Sequence, residues 1–379
     1  MDFALPEEHE AFRRVVRAFA ESEIAPYAEA WDQEHRFPLE VVRAMGDLGL
    51  FGLPFPERYG GAGSDFLMFC VAVEEIARVD ASLAITLEAA VGLGANPIHH
   101  FGTEEQKERW LPDLLAGRAL AAFALTEPDS GSDAGATRTR AVRDGDEWVI
   151  DGTKAFITNS GTPITSLVTV TARTPEGGIS TILVPAGTAG LVVEPAYRKM
   201  GWRASDTHGV RFEGCRVPVG NLLGEPGRGL HQFLSILDGG RIAIGAVSVG
   251  IAGACLELAV AYATERSAFG RPIAANQGVA FRLADLQVAV EASRLLTHRA
   301  AWLRDTGRPY KHAAAQAKLF ASEAAVDATR IATQVFGGAG VMDDTPVSRF
   351  YRDAKILEIG EGTSEIQRLV IARGLGLPV

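Results

Sequence analysis

The 379-residue sequence predicts a multi-domain protein in which two helical parts flank a strand-rich middle part. The chain is longer than the roughly 100 to 200 residues of a usual domain. Apolar residues recur with helical spacing towards both ends, and short β-branched runs separated by Gly and Pro fill the middle. We predict an all-α N-terminal domain at residues 1–118, a middle antiparallel β domain at 119–225 and a C-terminal four-helix bundle at 226–379.

The N-terminal part carries the signals of amphipathic helices. Phe12, Val16 and Phe19 recur at helical spacing. Thr103 and Gln106 have the spacing of a capping box, and Gly117 is placed to end the helix that follows. We therefore expect helices up to about residue 117.

The middle part carries the signals of strands and turns. Asp144-Gly145 lies between two strand-like runs, which indicates a hairpin. Further short β-branched runs are Leu167–Thr171, Thr181–Val184, Leu191–Val193 and Val210–Phe212. Such closely spaced strands fit a small antiparallel barrel or sandwich.

The C-terminal part returns to long helices. They are predicted at Leu230–Thr264, Val279–Arg304 and Lys311–Phe336, with breaks at glycine-rich segments between them. A four-helix bundle is the economical arrangement for helices of this length.

Composition excludes several classes of protein. Hydrophobic residues make up 47% and charged residues 22%, which is ordinary for a globular protein. A net charge of -10 argues against a nucleic-acid partner. The acidic N-terminus does not resemble a secretory peptide, and no uninterrupted apolar run reaches about 18 residues, so we expect a cytoplasmic protein without membrane insertion. The three cysteines lack CxxC spacing, so neither a disulfide framework nor a metal site is predicted.

Glu361 is the most informative single residue. It lies between Gly360 and Gly362, which permit unusual backbone angles or the close approach of a ligand. Ser364 and Gln367 have the spacing of a capping box, which predicts that a helix starts there. A carboxylate in such a turn is a candidate general base. The alternative is a solvated carboxylate at a helix N-terminus, where the helix dipole favours it.

A second group of segments, together with this turn, resembles a known family. The segments 123–135 and 154–159 look like the flavin-binding signature of the FAD-dependent acyl-CoA dehydrogenases, and 351–368 looks like that family's catalytic-base signature. The intervening segments 237–242, 266–273 and 334–338 are similar to the family's pattern and follow in the same order. The resemblance covers essentially the whole chain.

The resemblance implies a middle β-barrel between two helical domains, with FAD held between the barrel and the bundle. A nicotinamide or flavin fold of the Rossmann type is not indicated, since no Gly-x-Gly-x-x-Gly opens a helix after a strand. The matching flavin positions are Phe123, Leu125, Thr126, Phe156 and Thr158. Phe156 stands where the family often has Trp, so ring stacking is expected without an indole donor.

The same resemblance assigns residues to the ends of the cofactor and to a neighbouring subunit. Ser132 matches a contact to the pyrophosphate or to the acyl-CoA, although a tight surface loop explains its segment equally well. Arg266, Phe269 and Gln277 match residues that reach the FAD of a neighbour. Gln334, Gly337 and Gly338 match a loop at the adenosine end, and Thr363 and Glu365 match contacts beside the base. A homotetramer, built as a dimer of dimers, is therefore expected.

The substrate positions implied by the family are Ser132, Asp238, Arg241 and Gly362, with Glu361 as the base. An ion-paired or capping arginine is the alternative for Arg241. One branch of the family keeps its base immediately before that arginine, but Gly240 has no side chain, which strengthens the assignment to Glu361. Members that decarboxylate glutaryl-CoA usually carry an arginine near residues 81–90, and only Glu88 is charged between Ala81 and Ala95.

The function that this resemblance implies is the α,β-dehydrogenation of an acyl-CoA to the trans-2-enoyl-CoA, with electrons passed to an electron-transfer flavoprotein. The motifs resemble the short-chain and short-branched-chain members most. An acyl-CoA oxidase or flavin monooxygenase on the same fold is the alternative. A non-catalytic acyl-thioester-binding scaffold is the third possibility. Sequence does not fix the acyl group or the electron acceptor.

Overall fold

The computed structural model describes residues 4–175 and 177–379. The N-terminal part is helical, as predicted. Its helices are α1 Glu7–Phe19, α2 Ala28–Glu34, α3 Leu39–Asp47, α4 Phe66–Ala77, α5 Ala81–Glu88, α6 Asn96–Phe101 and α7 Glu104–Leu115. The capping box of α7 is confirmed, because Gln106 N–H donates to Thr103 Oγ1 at 3.2 Å and the Gln106 side chain accepts from Thr103 N–H at 3.0 Å. Gly117 follows the helix in the left-handed conformation.

Helices α4 and α5 form the inner layer of this part. Asp65 and Asp80 cap them by accepting the N–H groups of Met68 and Leu83. Both helices are buried along nearly their whole length. Directly after α5 the chain widens into a π-helical segment at Ala89–Ala95. Such wide turns are frequent at functional sites.

The middle part is one eight-stranded sheet that curls around its own apolar core. Its strands are β1 Leu120–Ala124, β2 Arg140–Asp144, β3 Glu147–Thr158, β4 Thr165–Arg173, β5 Ile179–Pro185, β6 Leu191–Val193, β7 Thr207–Pro218 and β8 Leu222–Leu223, in the order β6-β7-β3-β2-β4-β5-β8 with β1 beside β4. Most pairs are antiparallel, as predicted, but β1 runs parallel to β4, and β2 also pairs with β4 in parallel, at Arg140 and Arg173. The hairpin centres on Gly145-Asp146, one residue later than expected, since Asp144 pairs with Glu147.

The C-terminal part is built on three long helices, α8 Gly229–Glu265, α9 Gln277–Asp305 and α10 Lys311–Phe336, which pack against one another. Their bounds lie within about two residues of the predicted ones. A short hairpin, β9 Ser267–Ala268 and β10 Arg271–Pro272, joins α8 to α9. Two shorter helices, α11 Pro346–Leu357 and α12 Ser364–Gly374, pack on α10 and complete the bundle.

Two helical segments, Ala81–Phe101 and Gly229–Glu265, have the length and apolar composition of a membrane span. The most apolar window of each segment is, however, buried inside the protein, to 94% in the first segment and to 83% in the second. Their apolar faces are therefore occupied by the protein's own core.

Candidate active site

Glu361 lies in a strained turn between α11 and α12. Its φ is 53°, in the left-handed region that non-glycine residues rarely adopt, and Gly362 follows at 96°. The predicted capping box of Ser364 and Gln367 is wrong, because the hydroxyl of Thr363 caps α12 by accepting the N–H of Ile366. The N-cap of α12 is therefore Thr363, one residue before the predicted N-cap, Ser364. Gln367 holds the turn instead, by donating to the Gly362 carbonyl at 2.8 Å.

The carboxylate of Glu361 points inwards. Both of its oxygens are buried, and neither receives a hydrogen bond from an N–H or a hydroxyl group in the described part of the chain. The carboxyl group of Glu88, at the end of α5, is in hydrogen-bonding contact with it. Burial raises the pKa of Glu361, while the bond from Glu88 and the charges of Arg241 and Lys318 oppose that rise. A solvated carboxylate at a helix N-terminus is therefore not what the structure shows.

Gly240 on α8 provides the space for that carboxylate. A β-carbon at position 240 would overlap Oε2 of Glu361 and would lie 2.8 Å from its carboxyl carbon. A base on α8 at this position and a base at position 361 therefore exclude each other sterically.

Arg241 is buried on the same helix, with 5% of its surface exposed. Its Nη1 donates to Asp238 at 2.5 Å, whereas its Nε has no partner in the described residues. The ion pair that we kept as the alternative is thus present. The free Nε leaves one strong donor for a ligand, so the substrate role of Asp238 and Arg241 stays a prediction.

Lys318 is a site residue that the sequence analysis missed. Its side chain is completely buried on α10, and Nζ donates to the Gly362 carbonyl at 2.8 Å. Burial lowers its pKa to about 8, and Glu361 opposes this effect. The signal was available in the sequence: Lys318 is the only basic residue in an Ala-rich run at 313–325.

The flavin segments predicted on the sheet lie side by side. Ala155 N–H donates to the Thr126 carbonyl at 2.9 Å, which joins β3 to the end of β1. Buried Lys154 ties the same segment together by donating to the Leu125 carbonyl at 3.0 Å and to Glu127 at 2.9 Å. Neither Lys154 nor Glu127 was singled out from the sequence.

Phe156 combines a strained backbone with exposure of an apolar ring. Its φ is 61° and 66% of its surface is exposed. Thr158 follows on β3, partly buried, and Asn159 adopts a φ of 60°. The Asn159 amide donates to the Thr86 carbonyl of α5 at 3.2 Å. Strain of this kind collects at functional sites, and here it accompanies an exposed aromatic ring three residues before the Asn159 contact with α5.

Phe123 and Glu361 contact the same helix. The ring of Phe123 stacks on Phe233 of α8, with centroids 3.8 Å apart. Gly240, which faces Glu361, lies seven residues further along α8, or about 10 Å at the rise of an α-helix. The sheet segments and the base are thus aligned along one face of α8.

Most of the remaining predicted residues are not brought to Glu361 within one chain. Arg266 and Gln277 are exposed at the hairpin between α8 and α9, and Phe269 at its tip is fully exposed with a φ of 52°. Gln334 and Gly337 line a separate cavity of about 620 Å³ next to Tyr351. Gly338 is exposed beside Gly337. Thr363 and Glu365, in contrast, lie at the N-terminus of α12, directly after the turn that carries Glu361.

Ser132 is exposed in the loop that follows Glu127. The loop is closed from within, because the Glu127 carboxylate accepts the N–H groups of Arg138 at 2.7 Å and Thr139 at 3.0 Å. A surface loop shaped by its own turns therefore accounts for this segment, and a ligand contact of Ser132 stays a prediction. Across residues 4–175 and 177–379 no cluster of three or more His, Cys, Asp or Glu side chains could hold a metal ion.

A buried glutamate that receives no N–H or hydroxyl hydrogen bond, placed against a bundle helix on which a sheet segment also packs, defines the class of site as the active site of an enzyme that uses a general base. The comparisons with known proteins specify the class further. Residues 6–118 match the acyl-CoA dehydrogenase N-terminal domain, 122–215 the middle domain and 227–376 the C-terminal domain. The chain belongs to the acyl-CoA dehydrogenase family.

Individual relatives cover nearly the whole chain. It is 50% identical over 378 residues to the "Probable acyl-CoA dehydrogenase YngJ" of Bacillus subtilis, covering 99% of this chain and 100% of that one. It is 48% identical over 372 residues to the short-chain specific acyl-CoA dehydrogenase of Bos taurus mitochondria, covering 97% and 90%. The solved structure of butyryl-CoA dehydrogenase from Megasphaera elsdenii is 40% identical, with a TM-score of 0.96 and coverage of 99% and 100%.

Family membership confirms the predicted fold class, the assignment as an oxidoreductase that dehydrogenates acyl-CoA, and FAD as the cofactor. The residues present fit this cofactor. The exposed ring of Phe156 offers a stacking face, and the Glu361 carboxylate is buried without an N–H or hydroxyl donor.

Proposed function

We propose that this chain oxidises a short-chain or short-branched saturated acyl-CoA to the trans-2-enoyl-CoA and passes the electrons to an electron-transfer flavoprotein. One observation carries the proposal: the Glu361 carboxylate is buried without an N–H or hydroxyl donor, against the helix α8 on which the ring of Phe123 also packs. A carboxylate whose oxygens no N–H or hydroxyl group occupies is free to take a proton from a ligand.

Glu361 is the proposed base that removes the α-proton. Burial moves its pKa upwards, towards working pH, which suits a general base. FAD supplies the hydride acceptor for the β-carbon, a role that no side chain can fill. The backbone N–H of Glu361 is the proposed donor to the thioester oxygen, because charge grows on that oxygen as the α-proton leaves.

The remaining contacts are proposed by position. Phe123, Leu125, Thr126, Phe156 and Thr158 would hold the flavin ring, with Phe156 stacking. Asp238, Arg241, Gly362 and Ser132 would hold the CoA thioester, with the free Nε of Arg241 as a donor. The residues proposed to reach a neighbouring subunit's FAD are Arg266, Phe269 and Gln277, and those proposed for the adenosine end are Gln334, Gly337 and Gly338. Thr363 and Glu365 are proposed as FAD contacts beside the base.

A short acyl group is supported by the relatives and by the pocket helix. The bovine and Megasphaera relatives carry short-chain and butyryl-CoA names. A second carboxylate in the substrate, as in glutaryl-CoA, has no cation to meet on α5, whose charged residue is Glu88 in contact with Glu361. Glu88 therefore supplies no positive charge that could hold the second carboxylate of such a substrate.

Assembly into a homotetramer, as a dimer of dimers, is proposed on two features of the surface. The fully exposed Phe269 ends a hairpin that reaches away from its own subunit. On α9 an exposed apolar stripe recurs every seven residues, at Phe281, Val288, Leu295 and Trp302. We propose a cytoplasmic location and domain boundaries after residues 118 and 225.

The test is an anaerobic titration of the purified, FAD-loaded protein with saturated acyl-CoAs of increasing length and branching, followed by flavin absorbance. Bleaching with a C4 or C5 group, stronger than with long chains or glutaryl-CoA, is the expected result. Absence of bleaching with every acyl-CoA would overturn the proposal. Electron-transfer flavoprotein should then reoxidise the reduced protein faster than air does. Faster reoxidation by oxygen would identify an oxidase instead.

A further inference from the structure

Glu88 is a buried acid for which the reaction described above has no use. It is the last residue of α5, and 1% of its surface is exposed. Its Oε1 is buried and receives no N–H or hydroxyl hydrogen bond from the described residues. A structural carboxylate at such depth is normally paired with a cation or with several N–H donors. Glu88 has instead the carboxyl group of Glu361 as its hydrogen-bonding neighbour.

Two glycines make room for the two carboxyl groups. A β-carbon at Gly92 would lie 2.6 Å from Glu88 Oε1, and one at Gly240 would overlap Glu361 Oε2. Gly92 belongs to the widened π-helical segment that starts directly after Glu88. A glycine in the segment after α5 and a glycine in α8 therefore leave room for the two carboxyl groups, one on each side of the pair.

Two carboxyl groups can form a hydrogen bond only if one of them keeps its proton, since ionised carboxylates are acceptors only. The surrounding charges balance one negative charge. Lys318 from α10 supplies one cation, whereas Arg241 from α8 is already paired with Asp238. Glu358 and Glu365, which also act on Lys318, are acidic and add no positive charge. If both carboxyl groups were ionised, one of the two negative charges would be uncompensated.

We propose that Glu88 is a positioning residue of the active site, held as the neutral acid, whose O–H donates to the ionised Glu361 and keeps that base ready at neutral pH. The inference rests on the proposed role of Glu361. When Glu361 takes the α-proton of the substrate, the C–H bond breaks and a Glu361 O–H bond forms. The pair then holds two protons and no charge.

The direction of the pKa change at Glu361 follows from the proposal that Glu88 donates the hydrogen bond and Glu361 accepts it. A donor to the ionised form of Glu361 lowers the pKa of that carboxyl group. Removing the donor must therefore raise the pKa of the base. The acid limb of the pH profile, below which Glu361 is protonated, must move to higher pH.

Three variants test this: Glu88→Leu, which removes the donor; Glu88→Gln, which keeps an N–H donor without a titrating proton; and Thr86→Val, the matched control. Thr86 is buried on the same helix, and its hydroxyl bonds only to the Ser82 carbonyl of α5. Glu88→Leu should move the acid limb of the kcat/KM profile up by about one to two pH units. At pH values below the acid limbs of both proteins, kcat/KM of the variant should then be about ten- to hundredfold lower than that of the parent. The other two should keep the acid limb within a few tenths of a unit. A Glu88→Leu limb that coincides with the parent's would overturn the proposal.

A second readout does not depend on turnover. An infrared difference spectrum between the parent and Glu88→Gln isolates the C=O stretch of a protonated Glu88 carboxyl group. The signals of the other buried acids cancel, because both proteins contain them. The parent should show this band at neutral pH, and its absence would mean that Glu88 is ionised, contrary to the proposal. If no acyl-CoA reduces the flavin while the band is present, the proposed function fails and the carboxyl pair stands.

Discussion

Gly240 and Glu361 share one side-chain volume. The hydrogen at the α-carbon of Gly240 faces the Glu361 carboxyl group, and a β-carbon there would lie 2.8 Å from the carboxyl carbon. Real β-carbons do not approach other heavy atoms this closely. The carboxylate on the α11–α12 turn can therefore occupy its position only because residue 240 on α8 is a glycine. The two residues are 121 positions apart in the sequence.

Gly240→Ala should displace the Glu361 carboxylate and lower kcat by at least about tenfold, because a misplaced base loses much of its contribution. The control is Gly253→Ala on the same helix, where a β-carbon would meet only Arg294 at 3.9 Å. Steady-state kinetics and FAD content of both variants check this. Equal kcat values for the two variants would contradict the steric relationship.

Glu361→Gln should retain FAD and acyl-CoA binding but lose about 10² to 10⁴-fold in kcat, since the amide cannot accept the α-proton. Stopped-flow reduction of the flavin by butyryl-CoA measures the step directly. Binding of the CoA thioester, followed by the perturbation of flavin absorbance, serves as the control for folding. Reduction at the parent rate would exclude Glu361 as the base.

Lys154→Met should release the flavin segment of β1. The buried ammonium donates to the Leu125 carbonyl, to Glu127 and to Thr171 Oγ1 at 3.0 Å. Removing one partner of a buried pair costs about 3–5 kcal/mol, because the other charge stays buried. We expect a lower thermal midpoint and partial loss of FAD, measured by the ratio of flavin to protein absorbance.

The matched control for that variant is Lys107→Met. Lys107 pairs with Glu104 on the surface, and such pairs contribute about 0–1 kcal/mol. FAD content that falls equally in both variants would show that burial of Lys154 is not the cause.

Val288→Asp should break the proposed contact between copies through α9. The stripe of Phe281, Val288, Leu295 and Trp302 stays on one helix face, since seven residues make nearly two turns. A charge in the middle of a buried apolar interface is strongly unfavourable. Light scattering should give a smaller assembly than the parent, whereas Gln287→Glu, one position off the stripe, should not. An unchanged mass would place the contact elsewhere.

Periodicity and turn residues located most elements from the sequence. The α7 capping box and the bounds of α10 follow from local chemistry, which short windows contain. The parallel pairing of β1 with β4 could not be predicted, because it depends on contacts 45 or so residues apart that no local pattern encodes. The error at Ser364 has a similar cause: Thr363 and Ser364 are both good caps, and the strained turn before them decides which is used.

The residues of the candidate site also divide into those that the local sequence indicates and those that only the fold brings together. Glu361 could be proposed from the sequence because its flanking glycines are adjacent to it. Glu88 and Lys318 were missed as site residues because their meaning comes from α5, α10 and the turn meeting in space. The signal was a single charge within an apolar stretch for Glu88, and a single basic residue within an Ala-rich run for Lys318. Burial of an ionisable group requires a partner, so such a charge predicts either a pair or a function.

The last prediction concerns Asp353, a buried acid where three parts of the fold meet. It accepts the N–H of Trp202 at 2.6 Å, and it faces Asp80, Asp32 and Arg349. Burial raises its pKa from 3.8 to about 7. Between about pH 4 and pH 7 the folded protein therefore binds a proton that the unfolded chain has released. Stability must fall as pH rises through that window and become level above it.

Asp353→Asn has no proton to lose, so it should remove this slope while the side-chain oxygen still accepts from Trp202. The thermal midpoint of the variant, relative to the parent, should rise by several degrees between pH 4.5 and pH 7.5, since a pKa shift of this size corresponds to a few kcal/mol. Asp327→Asn, at an exposed acid paired with Arg330, is the control and should show no such trend. Parallel midpoint curves for Asp353→Asn and the parent would mean that Asp353 is ionised in the folded protein at pH 4.5, held so by Arg349.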